Sequence, residues 1–360
     1  MTSYFITGGA GFIGTALSKS LVSEGNRVTV YDNFLPQVHG SADAKLQELR
    51  AFGISVVKGD VVDGEKLRAA VRGANPDVIF HLAAETGTGQ SYLEPAHYTK
   101  VNTTGTANLI EAIRKAGPPV LKVILSGTRA VYGEGGCVYQ DGRPAAPAPR
   151  SAEDLERGDF QVKDIHGTIL RPISSCALTC PPRPKSIYAS SKLMQEHLLT
   201  QGFWGTETSV SILRLQNVYG PGQSTSNPYT GVLSIFANLM AQGQTPDIYE
   251  DGIITRDFVF IDDVVRAFIQ AANVHQDQQT ILDIGSGEGI TIMKVAQQMM
   301  RQNGLNESTL RCGGQYRPGD IRHAVANIES SAKILGWRPQ VKLVDGLSQI
   351  NLSVSGDERS

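Results

Sequence analysis

The chain has 360 residues, of which 41% are hydrophobic and 19% are charged, and its formal net charge is −2. This composition excludes a largely disordered chain and leaves room for one large domain or two moderate ones. The near-neutral charge gives no chain-wide reason to bind nucleic acid or an anionic membrane surface. No apolar run reaches membrane-spanning length, and the glycine-rich segment beginning at Thr7 leaves no room for a signal peptide, so we expect a cytoplasmic protein.

The first predicted elements are a buried strand over residues 4–7, a glycine-rich loop and a helix over residues 12–22. Glycine has no Cβ, so such a loop can approach a pyrophosphate closely. The helix that follows directs free N–H groups and the positive end of its dipole at the anion. The segment therefore predicts a dinucleotide-binding loop, formed by Gly8, Gly11, Phe12, Ile13 and Gly14.

A second strand, predicted over residues 27–31, ends at an acidic residue. Asp32 follows Gly14 by eighteen positions, where a carboxylate can accept hydrogen bonds from the adenosine ribose hydroxyls. The same charge would repel a 2′-phosphate, and Asn33, rather than a lysine or arginine, comes next. The predicted cofactor is therefore NAD and not NADP.

Further strands alternate with helical segments along the first 215 residues. They are predicted over residues 55–58, 78–82, 121–126 and 209–213, with a helix over residues 103–115 among the segments between them. This alternation predicts an α/β protein with a parallel, doubly wound sheet of the Rossmann type. Cofactor contacts are expected where strands end, at Asp60, Val61, Leu82, Ala83, Ala84 and Ser126.

Tyr188 and Lys192 are four residues apart in a segment with helical character. Positions i and i+4 share one face of a helix, so the ammonium can lie beside the phenol. A neighbouring cation favours phenolate and so lowers a tyrosine pKa from its usual value of about 10. The pair is a candidate base for removing the proton of a hydroxyl group.

Nine motifs follow one another along the chain: residues 7–14, His81-Leu82-Ala83-Ala84, Leu125-Ser126-Gly127-Thr128, Val131-Tyr132-Gly133, Tyr188-x-x-x-Lys192, Asn217-Val218-Tyr219-Gly220-Pro221, Arg256-Asp257-Phe258-Val259, Asp262-Asp263-Val264 and Arg317-Pro318-Gly319-Asp320. Taken in this order, they resemble the motifs of the extended short-chain dehydrogenase/reductase family, and more narrowly those of its nucleotide-sugar epimerases and dehydratases. Residues 81–91, 217–224 and 227–231 look most like a branch that contains dTDP-L-rhamnose 4-epimerases.

The resemblance implies two lobes around a cleft. An NAD-binding Rossmann domain would comprise residues 1–215 and about 256–285, and a smaller mixed α/β lobe for the nucleotide sugar would comprise about 216–255 and 286–352. Residues 353–360 would form a polar tail. Helices beginning near Glu94 and Tyr188 would form the interface of a homodimer.

The resemblance also implies roles for individual residues. Tyr188 would be the general base, Thr128 would hydrogen-bond the reacting sugar hydroxyl, and Lys192 would lower the pKa of Tyr188 and bind the nicotinamide ribose. NAD would take a hydride and return it to the opposite face of a 4-keto sugar. The implied contacts to the nucleotide sugar are Thr86, Arg129, Asn217, Arg256, Arg317 and Asp320, with Gln90, Ser91 and Asn102 lining the cavity.

Other functions remain open at this point. The family's 4,6-dehydratases carry an Asp-Glu pair after the hydroxyl residue, where this chain has Arg129 and Ala130, so epimerisation is favoured over dehydration. A 4-ketoreductase is the alternative enzyme, and a non-catalytic NAD-binding regulator is the alternative of another class. The substrate is expected to be a dTDP- or UDP-hexose. A 6-deoxy sugar would need an apolar pocket, and a uronate an extra cation such as Arg129.

Thr128 and Tyr188 are sixty residues apart, which is farther than in typical epimerases of the family. The inserted segment, residues 134–185, is rich in proline, glycine and charge, and we expect an ordered excursion or a lid over the sugar site, with disorder as the alternative. Four potential zinc ligands occur within it, but Cys-x-x-x-Cys is a weak zinc spacing, and the predicted site contains no metal. These residues are Cys137, His166, Cys176 and Cys180.

Overall fold

The structure is a computed structural model, and it describes residues 1–223, 231–274, 279–317 and 319–357, the last seven of these by their backbone only. Motif positions 224, 227–230 and 318 and the last three residues of the predicted tail lie outside the described residues. The strands are β1 Ser3–Thr7, β2 Arg27–Asp32, β3 Ser55–Lys58, β4 Val78–His81, β5 Lys122–Thr128, β6 Gly136–Val138, β7 Pro144–Ala145, β8 Arg171–Ile173, β9 Ser209–Leu215, β10 Asn217–Tyr219, β11 Asp247–Ile248, β12 Thr255–Phe260, β13 Thr280–Ile284, β14 Gly289–Thr291, β15 Arg311–Cys312 and β16 His323–Ala324.

The α-helices alternate with the strands through the first half of the chain. A π-helical turn, Lys100–Thr104, joins two of them, and 3₁₀ turns occupy Arg129–Tyr132 and Glu307–Thr309. The α-helices are α1 Phe12–Ser23, α2 Pro36–His39, α3 Ala42–Ala51, α4 Gly64–Ala74, α5 Thr88–Leu93, α6 Pro95–Thr99, α7 Gly105–Arg114, α8 Ala152–Glu156, α9 Ile187–Gly202, α10 Val232–Ala241, α11 Ile261–Asn273, α12 Ile292–Gln302, α13 Glu329–Leu335 and α14 Leu343–Asp357.

Seven strands form the main sheet in the order β13-β9-β5-β4-β1-β2-β3, and every neighbouring pair is parallel. All residues of β1 and β4 are buried, as expected for strands covered by helices on both faces. The strand order reverses beside β1, and this reversal opens a crevice between the carboxyl ends of β1 and β4. The predicted Rossmann-type, doubly wound sheet is confirmed.

Two hydrophobic clusters cover the sheet. One contains Leu67, Leu109 and Leu199 from α4, α7 and α9. The other begins under α1 and α11 and continues without a break to Phe236 of α10 and Met299 of α12. Because the smaller lobe shares this core with the main sheet, burial of apolar surface fixes the lobe against it.

The smaller lobe is built around a second sheet, in which β12 pairs with β10, β14 and β16. The sequence grouped residues 256–285 with the main sheet. The structure places β13 there but gives β12 to the second sheet. The apolar pattern of β12 identifies a buried strand, whereas its partners are set by chain geometry that a pattern does not contain.

The insertion forms a three-stranded antiparallel sheet, β7-β6-β8, and carries the short helix α8. It is therefore an ordered excursion. At the other end of the chain, α14 includes the first five residues of the segment predicted as a polar tail. None of the helices in the described ranges combines the length and apolar character of a transmembrane segment.

Candidate active site

The glycine-rich loop brings β1 and β4 into close contact. Gly8 has a φ of +69°, and a Cβ at this position would lie 2.6 Å from the backbone N of Ala83. At Gly14, where α1 begins, a Cβ would lie 2.5 Å from the carbonyl oxygen of Gly8. Neither position can hold a side chain without moving backbone, so the loop requires glycine to keep the narrow turn that a pyrophosphate site needs.

A cavity of about 340 Å³ opens at the carboxyl ends of the strands. The residues predicted to bind the cofactor all line it, and so do Thr86 and Gln90. The predicted lining residues are Gly8, Gly11, Phe12, Ile13, Gly14, Asp32, Asn33, Asp60, Val61, Leu82, Ala83, Ala84, Ser126, Tyr188 and Lys192. Residues predicted from the ends of five separate strands therefore line one continuous cavity.

Asp32 ends β2 at the wall of this cavity and is buried. Its carboxylate accepts hydrogen bonds from the backbone N–H groups of Ala10, at 3.0 Å, and Phe34, at 2.8 Å. His39 Nε2 lies 3.3 Å from the same carboxylate. Within the described residues, the ion-pair and hydrogen-bond partners of Asp32 include no lysine or arginine that could receive a 2′-phosphate, so the cavity fits NAD better than NADP.

Thr128 and Tyr188 come together from elements sixty residues apart. Thr128 ends β5, where its Oγ1 accepts a hydrogen bond from the N–H of Ala130 at 3.2 Å. Tyr188 lies in the first turn of α9, which Ser186 caps. Burial raises the pKa of Tyr188, and the Thr128 hydroxyl and the Arg129 guanidinium partly oppose this rise. In the ligand-free protein the phenol therefore keeps its proton.

Lys192 lies one turn after Tyr188 and is buried. Burial lowers the pKa of its ammonium to about 7, and the nearby Glu196 opposes this change. Its Nζ donates a hydrogen bond to Oε1 of Gln195 at 2.5 Å. The sequence led us to expect that Lys192 lowers the pKa of Tyr188. In this ligand-free structure Lys192 is not one of the groups that shift that pKa: burial raises it most, and Arg129 is the cation that lowers it.

Three of the residues predicted to bind the substrate lie together beside Tyr188. Arg256, buried in β12, donates from Nη2 to Oδ1 of Asp320 at 2.7 Å. Arg129 starts the 3₁₀ turn after Thr128, and burial, together with repulsion from Arg256, lowers its pKa to about 10. Its Nη1 is buried and has no hydrogen-bond partner among the residues that the structure describes.

Of the three remaining predicted substrate contacts, Thr86 lines the cavity, and the other two differ from each other. Oδ1 of Asn217 is buried and, within the described residues, also without a partner. Arg317 is exposed and lies over the ring of Tyr249, 4.7 Å from its centroid. Arg317 is therefore held apart from Arg256, although Asp320 in the same motif contacts Arg256 directly.

Two further sequence expectations concern polar residues near the cavity. Asn102 and Ser91 are fully buried and do not line it. Oδ1 of Asn102 accepts from the N–H of Glu85 at 2.8 Å, and its Nδ2 donates to Ser191 at 2.9 Å. Asn102 thus fixes the loop that carries Thr86 against α9.

The insertion is attached to the smaller lobe by backbone hydrogen bonds. Ser175 donates to the carbonyl of Val325 at 2.8 Å and accepts from the N–H of Asn327 at 2.8 Å. The N–H of Ala177 donates to Oδ2 of Asp283 at 2.8 Å, beside the hydrogen bond from Tyr132 to the other oxygen. These contacts make the base of the insertion part of the protein's fixed framework.

A buried ion cluster reinforces this attachment. The Arg150 side chain, 4% exposed, lies 3.3 Å from Glu134 and 2.7 Å from Glu250. Arg322 pairs with Glu250 at 2.7 Å and with Asp251 at 2.6 Å. Arg150 also donates from Nη2 to the carbonyl of Asp320 at 2.7 Å. The insertion thereby contacts the turn that carries a predicted substrate residue.

The zinc hypothesis is not supported. In the described ranges, no group of three or more His, Cys, Asp or Glu side chains is placed to hold a metal ion. Cys137 packs with Val162 and Leu170, whereas Cys180 packs with Val131 and Tyr132. Burial raises the pKa of the Cys137 thiol to about 12, which disfavours the thiolate that binds zinc.

Sequence reasoning missed the residues that support the site, above all Gln195 and the ion cluster around Arg150. Gln195 did carry a signal, since it follows Lys192 by three positions and so shares its face of α9. Arg150 carried none, because its acidic partner Glu250 is one hundred residues away.

Known proteins match nearly the whole of this chain. A family model for GDP-mannose 4,6 dehydratase matches residues 5–152, and one for the NAD dependent epimerase/dehydratase family matches residues 164–285. The dTDP-L-rhamnose 4-epimerase of Burkholderia thailandensis is 40% identical over 347 residues, which cover 96% of this chain and 93% of that protein.

Solved structures agree with these matches. The UDP-glucose 4-epimerase of Thermotoga maritima, determined with UDP-glucose, is similar with a TM-score of 0.80 and 27% identity over 99% of both chains. The UDP-glucose 4-epimerase of Thermus thermophilus, in complex with NAD, gives a TM-score of 0.77 and 28% identity over 98% of this chain and 99% of that one. The chain therefore belongs to the extended short-chain dehydrogenase/reductase family, as an NAD-dependent nucleotide-sugar epimerase.

Proposed function

We propose that this protein inverts the C4 hydroxyl of a nucleoside-diphosphate hexose, and that a dTDP-6-deoxyhexose resembling dTDP-L-rhamnose is its first candidate substrate. The observation that carries the proposal is the 40% identity with a dTDP-L-rhamnose 4-epimerase along 96% of the chain. A UDP-hexose is the second candidate, because the similar solved structures include UDP-glucose 4-epimerases.

In this proposal Tyr188 takes the proton of the C4 hydroxyl, and Thr128 orients that hydroxyl through a hydrogen bond. Bound NAD⁺ supplies the hydride acceptor for the carbon that bears the hydroxyl. Since burial raises the Tyr188 pKa in the ligand-free protein, deprotonation needs positive charge nearby. Lys192 and Arg129 are the cations of this chain positioned to supply it.

We assign substrate binding to the side of the cleft beside Tyr188. Arg129 and Arg256 would hold the diphosphate, since guanidinium groups match phosphate oxygens and two adjacent cations repel each other until an anion joins them. Asn217 would donate or accept one further hydrogen bond, and Asp320 would receive nucleoside ribose hydroxyls. Thr86, which lines the cavity, is assigned to the sugar end, and Arg317 to the exposed nucleotide end.

Dehydration and external reduction are less well supported. The first family match is named for a 4,6-dehydratase, but Arg129 and Ala130 stand where that reaction needs a carboxylate pair. A ketoreductase would consume external NADPH, which the carboxylate of Asp32 disfavours. Retention of Thr128, Tyr188 and Lys192 argues against a purely regulatory NAD-binding protein.

We further propose a cytoplasmic homodimer. Tyr92 and Leu93 at the end of α5 are 79% and 73% exposed, and Met194 on the adjoining α9 is 45% exposed. Neighbouring apolar side chains on two contacting helices favour burial against a second copy of the same surface. Sedimentation measurements on wild type and on Leu93→Glu test this interface, and a wild-type monomer would refute it.

The activity is tested by incubating the purified protein, without added cofactor, with a panel of dTDP- and UDP-sugars and following the products by NMR. We expect conversion of a substrate to its C4 epimer until both are present at equilibrium. Product that forms only with stoichiometric NADPH would instead identify a ketoreductase. Bound NAD without turnover of any sugar would favour a regulator.

A further inference from the structure

Behind Lys192 lies a chain of buried polar side chains that the proposed reaction does not use. Nε2 of Gln195 lies 2.8 Å from Oγ1 of Thr106, which lies 2.8 Å from Nε2 of His81. Nδ1 of His81 lies 2.7 Å from Oγ1 of Thr7. All of these side chains are fully buried. These hydrogen bonds thus connect α9 through α7 and β4 to β1, whose last residue, Thr7, directly precedes the glycine-rich loop.

The direction of each hydrogen bond in this series of side chains follows from the donors and acceptors that each side chain has. Thr106 donates its proton to the carbonyl of Asn102 at 2.6 Å, so its oxygen must accept from both Gln195 and His81. His81 then carries its proton on Nε2 and accepts from Thr7 on Nδ1. Burial lowers the pKa of His81 to about 3, in agreement with a neutral ring.

These assignments leave Gln195 a single orientation. Its Nε2 faces Thr106 as a donor, so its Oε1 faces Lys192, which can only donate. The Nζ···Oε1 distance is 2.5 Å. Gln195 therefore presents a fixed acceptor to the buried Lys192 ammonium. The hydrogen bonds through Thr106 and His81, which reach strands β4 and β1 at the cofactor cavity, hold that acceptor in place.

We propose that Gln195 is a positioning residue for catalysis: its amide oxygen holds the Lys192 ammonium in a set direction at the wall of the cofactor cavity, and leaves the remaining N–H groups free for the bound dinucleotide and for Tyr188. The inference rests on the proposed roles of Tyr188 and Lys192. It adds a residue whose effect on the reaction passes through Lys192.

The expected effect has a definite sign. Removing the acceptor disfavours the charged form of Lys192, whose pKa burial has already lowered to about 7. In the NAD-loaded enzyme, where Lys192 is proposed to favour the phenolate, a neutral lysine loses that effect, so the pKa of Tyr188 rises and the acid limb of the kcat profile moves to higher pH. The charged and titratable groups that act on Lys192 are His81 from β4 and Glu196 from α9, and Tyr188 lines the same cavity as Lys192. Arg214 of β9 pairs with Glu196 at 2.6 Å.

Three substitutions on α9 test the proposal. Gln195→Met keeps the length of the side chain and removes the acceptor, while Thr106 retains its hydrogen bonds to His81 and Asn102. Gln195→Glu keeps an acceptor toward Lys192 and should recover most of the lost kcat. Gln201→Met makes the same chemical change at an exposed position of the same helix and is the matched control. Gln195→Asn withdraws the amide by one methylene and replaces the Met variant if that variant does not fold.

Two measurements decide the outcome. The first is kcat as a function of pH. The second is the tyrosinate absorbance of the NAD-loaded protein, with the signal of the matching Tyr188→Phe variant subtracted. For Gln195→Met we expect both midpoints to rise and kcat at neutral pH to fall by about tenfold, the typical effect of one hydrogen bond to a charged group, with KM for the sugar unchanged.

The proposal is overturned if Tyr188 titrates as in wild type while only the melting temperature falls, because Gln195 would then be structural. A shift of the Tyr188 midpoint to lower pH would also overturn it, since Gln195 would then hold Lys192 away from the phenol. If wild type turns over no sugar, the proposed function fails, but the tyrosinate titration still tests Gln195.

Discussion

The two sides of the cleft satisfy their buried polar groups in different ways. On the cofactor side, Lys192, Gln195, Thr106 and His81 form a continuous series of hydrogen bonds within the protein. On the substrate side, Nη1 of Arg129 is buried with no partner in the described part of the chain. An unsatisfied buried polar atom is costly, so the cofactor side is organised in advance, whereas the substrate side awaits a ligand to complete it.

This difference suits an epimerase that keeps its cofactor. A dinucleotide that is bound throughout turnover benefits from a rigid, preformed site. A nucleotide sugar must enter and leave. Arg256 is already paired with Asp320 in the ligand-free protein, but Nη1 of the neighbouring Arg129 has no partner among the described residues, so a bound diphosphate would complete the hydrogen bonding of this pair. The substrate side is nonetheless well supported, because the ion cluster around Arg150 lies directly behind it.

The largest expected effect comes from Tyr188, the proposed base, which lies between the two sides. Tyr188→Phe should lower kcat by about 10²–10⁴-fold, the usual contribution of a general base, and should leave NAD bound because the glycine-rich loop is unchanged. Turnover is measured by NMR, and NAD by its release on denaturation. Retained activity would remove Tyr188 as the base, and loss of NAD would show that the two sides are not separable.

The next prediction tests whether the buried charges around Arg150, behind the substrate side, are as fully paired as the buried polar groups of the cofactor side. Arg150→Met leaves Glu134 and Glu250 without one buried partner each, and breaking such a pair should cost about 3–5 kcal/mol of unfolding free energy. Arg143→Met is the control, since Arg143 lies in the same insertion and its side chain is 75% exposed.

The same variant has a predicted pH dependence. Burial raises the pKa of Glu134 and Arg150 opposes this, so removing Arg150 raises the folded-state pKa further. A carboxyl whose pKa is raised on folding destabilises the protein fully above the folded-state pKa, and this destabilisation disappears as the pH falls to the unfolded-state pKa. The loss of unfolding free energy in Arg150→Met relative to wild type, measured by denaturant titration, should therefore become smaller from alkaline to mildly acidic pH. A deficit independent of pH would contradict this account.

A smaller effect distinguishes a residue that binds the ligand from one that stabilises the fold. Arg129→Met should raise KM for the nucleotide sugar by about tenfold to a hundredfold, the range for a lost charged hydrogen bond. Ligand-free stability should be unchanged or higher, because the substitution removes a buried cation whose pKa folding lowers. Gln195→Met should instead lower ligand-free stability. If both variants lower it equally, the two sides do not differ as described.

The residues predicted to bind the cofactor all line one cavity, because the sequence signals that identified them are local. Gly8, Asp32 and Ala83 each lie at or within two residues of the end of a strand, and parallel strands bring their carboxyl ends to one edge of a sheet. The zinc hypothesis gained no support from the structure, for the converse reason. Cys137, Cys176 and Cys180 are close in sequence, but Cys137 and Cys180 pack into different apolar clusters.

By itself, then, the sequence determined the Rossmann-type sheet, the preference for NAD and the placement of Tyr188 and Lys192, the proposed catalytic dyad, on one helix, all of which follow from short spacings and strand order. Only the tertiary structure decided that β12 joins the second sheet, that the insertion is anchored through Arg150, and that Gln195 fixes Lys192. These features depend on which distant segments pack together, and packing sets burial, pairing and pKa in ways that spacing along the chain does not encode.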